Sequence, residues 1–169
     1  MPAKNQTDNI SESFFSGLEA DKPPGFLFVD HVAIAVCAGE LESQVRMYRQ
    51  IGFRELHREE IGGSDQVREV LLQIGESPNL IQLVEPLSAE SPVQKQIERN
   101  GGRGGLAHVG FRVKSAQAAF DFLKAQGFQI IDKAPRPGSR GTTVFFIHPK
   151  SHQDAPFGVL YEVVEDPKN

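Results

Sequence analysis

The amino-acid sequence predicts an α+β fold in which one β-α-β-β-β module occurs twice. Two similar apolar segments, FVDHVAIAV (28–36) and LAHVGFRV (106–113), each carry a single histidine near the start. A helical pattern that ends in a Gly-Phe pair follows each segment, and three strand-like segments follow that pattern. A self-similar unit of roughly 60 residues indicates paired modules, so we expect the two copies to share one curved mixed sheet.

The first module is expected over residues 27–87. After its first strand, ELESQVRMYRQIGF places Leu41, Val45 and Tyr48 at positions i, i+4 and i+7, which is typical of an amphipathic helix. Gly52 then ends the helix, because glycine adopts the left-handed conformation of a helix cap. The strand-like segments RELHREE, VREVLLQIG and NLIQLVEP complete the module.

A linker helix is expected over residues 91–101, between the two modules. In the segment ESPVQKQIERNGG, Ser91 is placed as the N-cap and Pro92 falls in the first turn. Gly101 then ends the helix. This segment connects the modules and belongs to neither repeat.

The second module is expected over residues 104–165. In SAQAAFDFLKAQGF, Ala116, Phe120 and Leu123 repeat the helical spacing of the first module, and Ser115 is placed as the N-cap. The strand-like segments QIIDKAP, TTVFFIHP and GVLYEVVEDP follow. The closing strands of the two modules are similar, LIQLVEP in the first and LYEVVEDP in the second.

Residues 1–25 are polar and end in a Pro-Pro-Gly break, which predicts a flexible N-terminal arm before a single domain over residues 26–169. The arm lacks the basic region and apolar core of a secretory signal. No apolar stretch approaches the roughly 20 residues that span a bilayer, so no membrane partner is expected. A net charge of -4 without a long basic run argues against a nucleic-acid partner.

Cys37 is the only cysteine of the chain. A single cysteine excludes an internal disulfide and a zinc site made of several thiolates. Its apolar neighbours favour a plain buried thiol over a nucleophile. The cytoplasm is the expected location for a chain of this kind.

Five polar side chains are expected on one face of the strands, opposite the face that packs against the helices. Side chains alternate along a strand, so counting from the apolar positions assigns each residue to a face. Buried polar groups require partners or a ligand. The five residues are His31, Glu69, Gln82, His108 and Glu162.

Two interpretations of these residues stay open at this point. A histidine or glutamate in a strand is often a structural residue with ordinary hydrogen bonds. However, His31 and His108 occupy equivalent positions of the repeat, and so do Gln82 and Glu162, which makes ligands of a shared metal an equally good interpretation.

The remaining histidines are weaker candidates. His57 lies in the charged segment ELHREE and is expected to be exposed, while His148 and His152 flank a segment that is expected to form a turn.

Longer motifs carry a resemblance to a known family. They are DHVAIAV, QVREVLLQIG, IQLVEPLSAESPVQKQIERNGGRGGLAHVGFRV, APRPGSRGTTVFFIHPKS and GVLYEVVE. With these motifs the sequence resembles, over residues 28–169, the vicinal oxygen chelate superfamily and within it the methylmalonyl-CoA epimerases. The resemblance implies the vicinal oxygen chelate fold, with the curved mixed sheet around a metal-binding cavity. The arm and the long loop SHQDAPFGVL depart from the family pattern.

The resemblance also implies roles for the five residues. The metal ligands of the family fall on His31, Gln82, His108 and Glu162, and its two acid-base positions fall on Glu69 and Glu162. Two imidazoles and two oxygen ligands suit a borderline divalent cation, with Co²⁺ expected first and Zn²⁺, Ni²⁺ or Mn²⁺ as alternatives.

The implied function is metal-dependent epimerisation of a 2-alkylmalonyl-CoA thioester, methylmalonyl-CoA or a close analogue, by proton transfer at the α-carbon through an enolate. The implied partners are this acyl-CoA substrate and a second copy of the chain in a homodimer. Arg136, Arg140 and Lys150 could contact the phosphates of CoA or be ordinary surface charges.

Two alternatives remain from the sequence. One is a glyoxalase-type metal-dependent isomerase or lyase, and the other is a member of the superfamily that binds a small molecule without chemistry. Gln82 as a fourth ligand argues against a ring-cleaving dioxygenase, which uses two histidines and a glutamate.

Overall fold

The computed structural model describes residues 25–152 and 156–167, so the predicted arm, apart from Gly25, lies outside the described residues. The first elements are β1 (Phe26–Ala35), α1 (Leu41–Gln50), β2 (Phe53–Ile61), β3 (Val67–Ile74) and β4 (Leu80–Pro86). The next are α2 (Pro92–Arg99), β5 (Gly105–Val113), α3 (Ala116–Ala125), β6 (Arg136–Pro137), β7 (Thr143–Ile147) and β8 (Tyr161–Glu165). Within these ranges no helix has both the length and the apolar character to cross a membrane.

The strands of the described residues form one curled sheet of eight strands, in the order β2-β3-β4-β1-β5-β8-β7-β6. β1 pairs with β4 in parallel and β5 pairs with β8 in parallel, whereas β1 and β5 are antiparallel. The two β-α-β-β-β units therefore meet along β1 and β5, related by an approximate two-fold axis. This topology confirms the α+β fold expected from the repeat.

Each of the two longer helices packs on the sheet of its own unit. α1 contributes Val45 to a buried apolar cluster that also contains Val70 and Leu83. α3 contributes Phe120 to a second cluster, where it meets Phe145 edge to face. The helical spacing predicted from the sequence is thus the spacing of the buried positions.

The connecting helix α2 packs against β4 and β5, on the face of the sheet opposite α1. Ala33 and Ala35 of β1 belong to the same buried apolar cluster as Ile97 of α2, whereas Ile34 and Val36 belong to the cluster under α1. This division follows from the alternation of side chains along the strand. Because the β1 residues on the α2 side are small, space remains there for polar side chains.

The helix ends use the caps that the sequence predicts. The hydroxyls of Ser91 and Ser115 accept backbone N–H groups in the first turns of α2 and α3. Gly52 and Gly127 follow α1 and α3 with φ angles of 100° and 83°, in the left-handed region that glycine adopts at low cost.

Two glutamates from the closing strands also bind the starts of the helices. Glu85 Oε1 accepts the N–H groups of Gly39 at 2.7 Å and Leu41 at 3.1 Å, at the N-terminus of α1. Glu165 Oε2 accepts the N–H group of Ala116 at 2.6 Å, at the N-terminus of α3. Each unit therefore holds its helix with a carboxylate from its own last strand.

One predicted strand is wrong. The segment QIIDKAP forms only a single bridge between Ile130 and Ile147, and the short strand β6 follows at Arg136–Pro137. Asp132 Oδ2 accepts the N–H group of Phe146 at 2.7 Å, so a side chain replaces the backbone in this part of the ladder. The prolines that follow lack the N–H group that a strand needs.

The prediction of a buried thiol at Cys37 is also wrong. Cys37 is half-buried and packs at the edge of the cluster that contains Ile97. β1 ends at Ala35, so the chain has already turned towards the surface at this residue.

Candidate active site

Two rows of paired residues cross the boundary between the two units. Side chains of residues that pair across neighbouring strands point to the same face of the sheet. Each row has a small residue in the centre and a polar residue on each side, so the polar groups have room above the sheet. The rows are Gln82–Ala33–His108 and His31–Gly110–Glu162.

Three of the predicted residues, His31, His108 and Glu162, converge at this boundary and form the His31 cluster. His31 Nε2 lies 3.0 Å from His108 Nε2 and 3.0 Å from Glu162 Oε2. His108 Nε2 lies 3.4 Å from the same carboxylate oxygen. Ligands bound at about 2.0–2.2 Å to one cation lie roughly 3 Å from one another, so the three residues form a candidate metal-ligand group.

Gly110 makes this convergence possible. A Cβ at this position would lie 2.3 Å from His31 Cε1 and 2.8 Å from His31 Nε2. The imidazole therefore occupies the space that any other residue at this position would fill.

Gln82 and Glu69 lie next to each other on the neighbouring strands. Gln82 Nε2 donates a hydrogen bond of 2.6 Å to Glu69 Oε2. Gln82 Oε1 and Glu69 Oε1 are buried, and neither accepts a hydrogen bond of good geometry from the described residues. An orphaned amide oxygen on the same face as two histidines and a glutamate is a suitable further ligand for a divalent cation.

Asp30 and Arg112 were not predicted from the sequence, yet they hold His31 in place. Asp30 Oδ1 lies 2.7 Å from His31 Nδ1, and Asp30 Oδ2 accepts a hydrogen bond of 2.9 Å from Arg112 Nε. A shift of register between Val29 and His31 turns both adjacent side chains inward. A carboxylate on the second nitrogen of a metal-binding histidine fixes its orientation and tautomer.

The carboxylates around His31 favour positive charge at its position. Burial disfavours the charged imidazole, but hydrogen bonds to Asp30 and Glu162 outweigh it and raise the pKa of His31 to about 9. Burial also disfavours an ionised Glu162, yet hydrogen bonds from His108 and His31 lower the pKa of this carboxyl far below its usual range. Glu162 is thus held as an anion among the imidazoles.

The pKa of Glu69 is shifted in the opposite direction from that of Glu162. Burial raises the pKa of its carboxyl, and the charges of Glu162 and Glu59 add to this effect. The hydroxyl of Ser139 and the charge of Arg140 act in the other direction without cancelling it. A carboxylate with a raised pKa is a better proton acceptor than an ordinary one, which is the property a general base requires.

His57 is half-buried, so the expectation that it is exposed is wrong. His57 Nε2 lies 3.0 Å from Glu59 Oε2, and Glu59 is paired across β2 and β3 with Glu69. Ligand atoms of these three residues all lie within 4.8 Å of one another. The sequence did not reveal these contacts of His57, because the alternating polar residues of ELHREE are also typical of a solvated edge strand.

The other candidates lie away from the His31 cluster or are already engaged. The guanidinium of Arg136 is bound by two aspartates, and the backbone N–H of Arg140 donates to Glu59 Oε2 at 3.1 Å. His148 accepts the N–H of Lys150 at 3.0 Å within a turn, as predicted. His152 Nε2 lies 3.2 Å from the carbonyl oxygen that follows α3.

Comparison with known proteins gives the same family that the motifs suggest. The family model described as glyoxalase/bleomycin resistance protein/dioxygenase superfamily matches residues 30–146. An uncharacterized protein of Bacillus subtilis, YqjC, is 32% identical over 138 residues, 81% of this chain and 91% of that protein. The ethylmalonyl-CoA/methylmalonyl-CoA epimerase of Cereibacter sphaeroides is 32% identical over 124 residues, 72% of this chain and 88% of that protein.

A solved structure agrees with these relatives. A variant of the Streptomyces coelicolor methylmalonyl-CoA epimerase, in complex with 2-nitronate-propionyl-CoA, superposes with a TM-score of 0.74 at 31% identity. The match covers 85% of this chain and 100% of that chain. The chain therefore belongs to the glyoxalase/bleomycin resistance protein/dioxygenase superfamily, and it is an enzyme of the epimerase type in the methylmalonyl-CoA epimerase branch.

Proposed function

We propose that the protein is a metal-dependent epimerase of a 2-alkylmalonyl-CoA thioester, with methylmalonyl-CoA or a close analogue as substrate. The observation that carries the proposal is the placement of Glu69, a buried carboxylate with a raised pKa, beside Gln82 and on the same face as the His31 cluster. The relatives named as ethylmalonyl-CoA and methylmalonyl-CoA epimerases support this choice of substrate.

We assign the metal to His31, Gln82, His108 and Glu162. Two imidazole nitrogens and two oxygen donors match the preferences of borderline divalent cations, and we propose Co²⁺ ahead of Zn²⁺, Ni²⁺ and Mn²⁺. A divalent cation held by these residues would supply Lewis-acid stabilisation for the negative charge that develops on the thioester oxygen. Elemental analysis of the purified protein tests the identity of the metal.

Glu69 is the proposed base for the α-proton. The hydrogen bond from Gln82 fixes Glu69 Oε2, whereas Oε1 accepts no hydrogen bond of good geometry from the described residues. The α-carbon loses its proton to this oxygen, and the electron pair of the broken C–H bond moves into the enolate. Burial at 2% exposure keeps water from competing for this oxygen.

Glu162 is the proposed partner that returns a proton on the opposite side. Glu69 extends from β3 and Glu162 from β8, on either side of the β1–β5 boundary. Inversion of a stereocentre requires proton transfer on two faces of a planar enolate, and two carboxyl groups on either side of this boundary support the assignment. Because the reaction runs in both directions, each carboxyl alternates between acid and base.

The decisive experiment is solvent exchange at the α-carbon. The metal-loaded protein is incubated with methylmalonyl-CoA in heavy water, and mass spectrometry measures deuterium in the recovered thioester. Incorporation together with interconversion of the two epimers supports the proposal. A protein that binds the thioester without exchange, or that acts on thiol adducts of the glyoxalase type instead, contradicts it.

We also propose a homodimer in the cytoplasm. The first residues of β1 support an interface, since Phe26, Leu27, Phe28 and Val29 are exposed apolar side chains in a row. The half-buried Cys37, which has no disulfide partner in this chain, suits a reducing compartment. Light scattering after size-exclusion chromatography tests the assembly, and a monomer at micromolar concentration contradicts it.

A further inference from the structure

We propose that His57, Glu59 and Glu69 form a second divalent-cation site beside the first one, and that Zn²⁺ bound there inhibits the enzyme. The binding part of this inference concerns three residues outside the set assigned above. The inhibitory part rests on the proposed function, because it requires Glu69 to act as the base.

The strand pairing presents these three side chains as a rigid group. Glu59 on β2 pairs directly with Glu69 on β3, and His57 lies two residues before Glu59 and thus on the same face. Their ligand atoms all lie within 4.8 Å of one another, and His57 Nε2 and Glu59 Oε2 are 3.0 Å apart. This last distance equals the two shorter separations in the His31 cluster and fits two neighbouring ligands of one cation.

A buried oxygen without a partner points to a ligand at this position. Glu69 is 2% exposed, and its Oε1 accepts no hydrogen bond of good geometry from the described residues. Two carboxylates directly opposite each other on paired strands repel one another. The charge of Arg140 acts on both carboxylates, but its guanidinium also lies 3.6 Å from the carboxylate of Asp30. A bound cation would satisfy the oxygen and remove the repulsion.

The chemistry of the group selects the kind of cation. One imidazole and two carboxylates are ligands that zinc accepts, and three protein ligands leave a position open for water. The side chains of His57 and Glu59 are 33% and 38% exposed, so the group is reached from solvent more easily than the His31 cluster. We therefore expect weaker binding than at the first site, visible once Zn²⁺ exceeds one equivalent.

Binding at this group affects the reaction through Glu69. An oxygen whose lone pair is donated to a cation cannot accept the α-proton. Zn²⁺ above one equivalent therefore lowers the rate of epimerisation, while the first site stays loaded.

The test measures binding and activity separately. The protein with its first site loaded with Co²⁺ is titrated with Zn²⁺ alone, and isothermal calorimetry with elemental analysis gives the number of metal ions per chain. H57Q removes the nitrogen ligand, and E59Q removes a charge while its amide oxygen can still accept the backbone N–H of Arg140. H152Q, a histidine substitution outside the group, is the matched control.

We expect two metal ions per chain for the wild type and for H152Q, and one for H57Q and E59Q. Excess Zn²⁺ is expected to slow epimerisation at least tenfold in the wild type but not in H57Q, whose activity without excess Zn²⁺ is unchanged. A wild type that takes up one ion, or an H57Q variant that still takes up two, overturns the inference. Two ions in a wild type that exchanges no α-proton would leave the site standing and refute the proposed function instead.

Discussion

At the scale of single residues, the orientation of His31 depends on Asp30, which contacts its Nδ1 atom and accepts a hydrogen bond from Arg112. Counting along the strands was sufficient to place His31, His108 and Glu162 on one face, because regular strands alternate strictly. Asp30 should then point away from the site. A local shift of register turns it inward instead, and such a shift depends on β5, which lies about 80 residues further along the chain.

Glu69→Gln is expected to reduce exchange of the α-proton by about 10²–10⁴-fold, because an amide accepts no proton while its size is nearly that of the acid. The measurement is deuterium incorporation in heavy water, with metal content determined on the same sample. We expect the metal to stay, since Glu69 is not among its assigned ligands. In the control variant, His108→Ala, the metal should be lost. Full exchange by Glu69→Gln would show that another group is the base.

Gly110→Ala is expected to displace the His31 imidazole, because the added Cβ would lie 2.3 Å from one of its ring carbons. We predict loss of most of the bound metal, measured by elemental analysis after dialysis against metal-free buffer. Gly62→Ala is a matched control, since its Cβ would meet nothing within 4 Å. Equal metal content in the two variants would contradict the role given to Gly110.

At the scale of secondary structure elements, the helices were predictable and the last strands were less so. The caps of α2 and α3 come from Ser91 and Ser115, which are local and visible in the sequence. The carboxylate of Glu85 at the start of α1 comes from a strand more than 40 residues away in sequence, so spacing within the helix does not reveal it. The same is true of Asp132, whose side chain replaces a strand hydrogen bond near β6.

Glu85→Ala is expected to lower the free energy of unfolding by about 1–2 kcal/mol, because the first N–H groups of α1 lose their acceptor and the helix dipole loses its negative partner. Urea denaturation of the metal-free protein measures this change. Glu90→Ala, at an exposed position, should lie within about 0.5 kcal/mol of the wild type. A similar loss in both variants would argue against the capping role.

At the scale of the whole molecule, the proposed site is a product of the duplication. The first unit supplies His31 and Gln82, and the second supplies His108 and Glu162. The repeat in the sequence therefore predicted the overall arrangement well. The repeat did not predict how the two units align. Their alignment depends on the pairing of β1 with β5 and on the small residues Ala33 and Gly110 in these two strands.

Because the proposed ligands come from both units, a bound metal should stabilise the entire chain and not one half. We expect loading with Co²⁺ at 100 times its dissociation constant to add about 2.7 kcal/mol to the free energy of unfolding, and removal with a chelator to abolish this gain. Calorimetry or fluorescence melting measures the effect. His108→Ala, which lacks a ligand from the second unit, should melt at the same temperature with and without the metal. A metal-dependent shift in that variant would contradict the assignment.

The antiparallel pairing of β1 with β5 has one further consequence. Rotation about the axis between these strands exchanges the positions of His31 and His108, and likewise those of Gln82 and Glu162. Either half, if separated within the α2 segment and paired with a copy of itself, would place four donor groups in the same geometry. Two identical short polypeptides could therefore build the same arrangement. In the single chain the two halves can differ, and one closing strand carries an amide, Gln82, where the other carries an acid, Glu162.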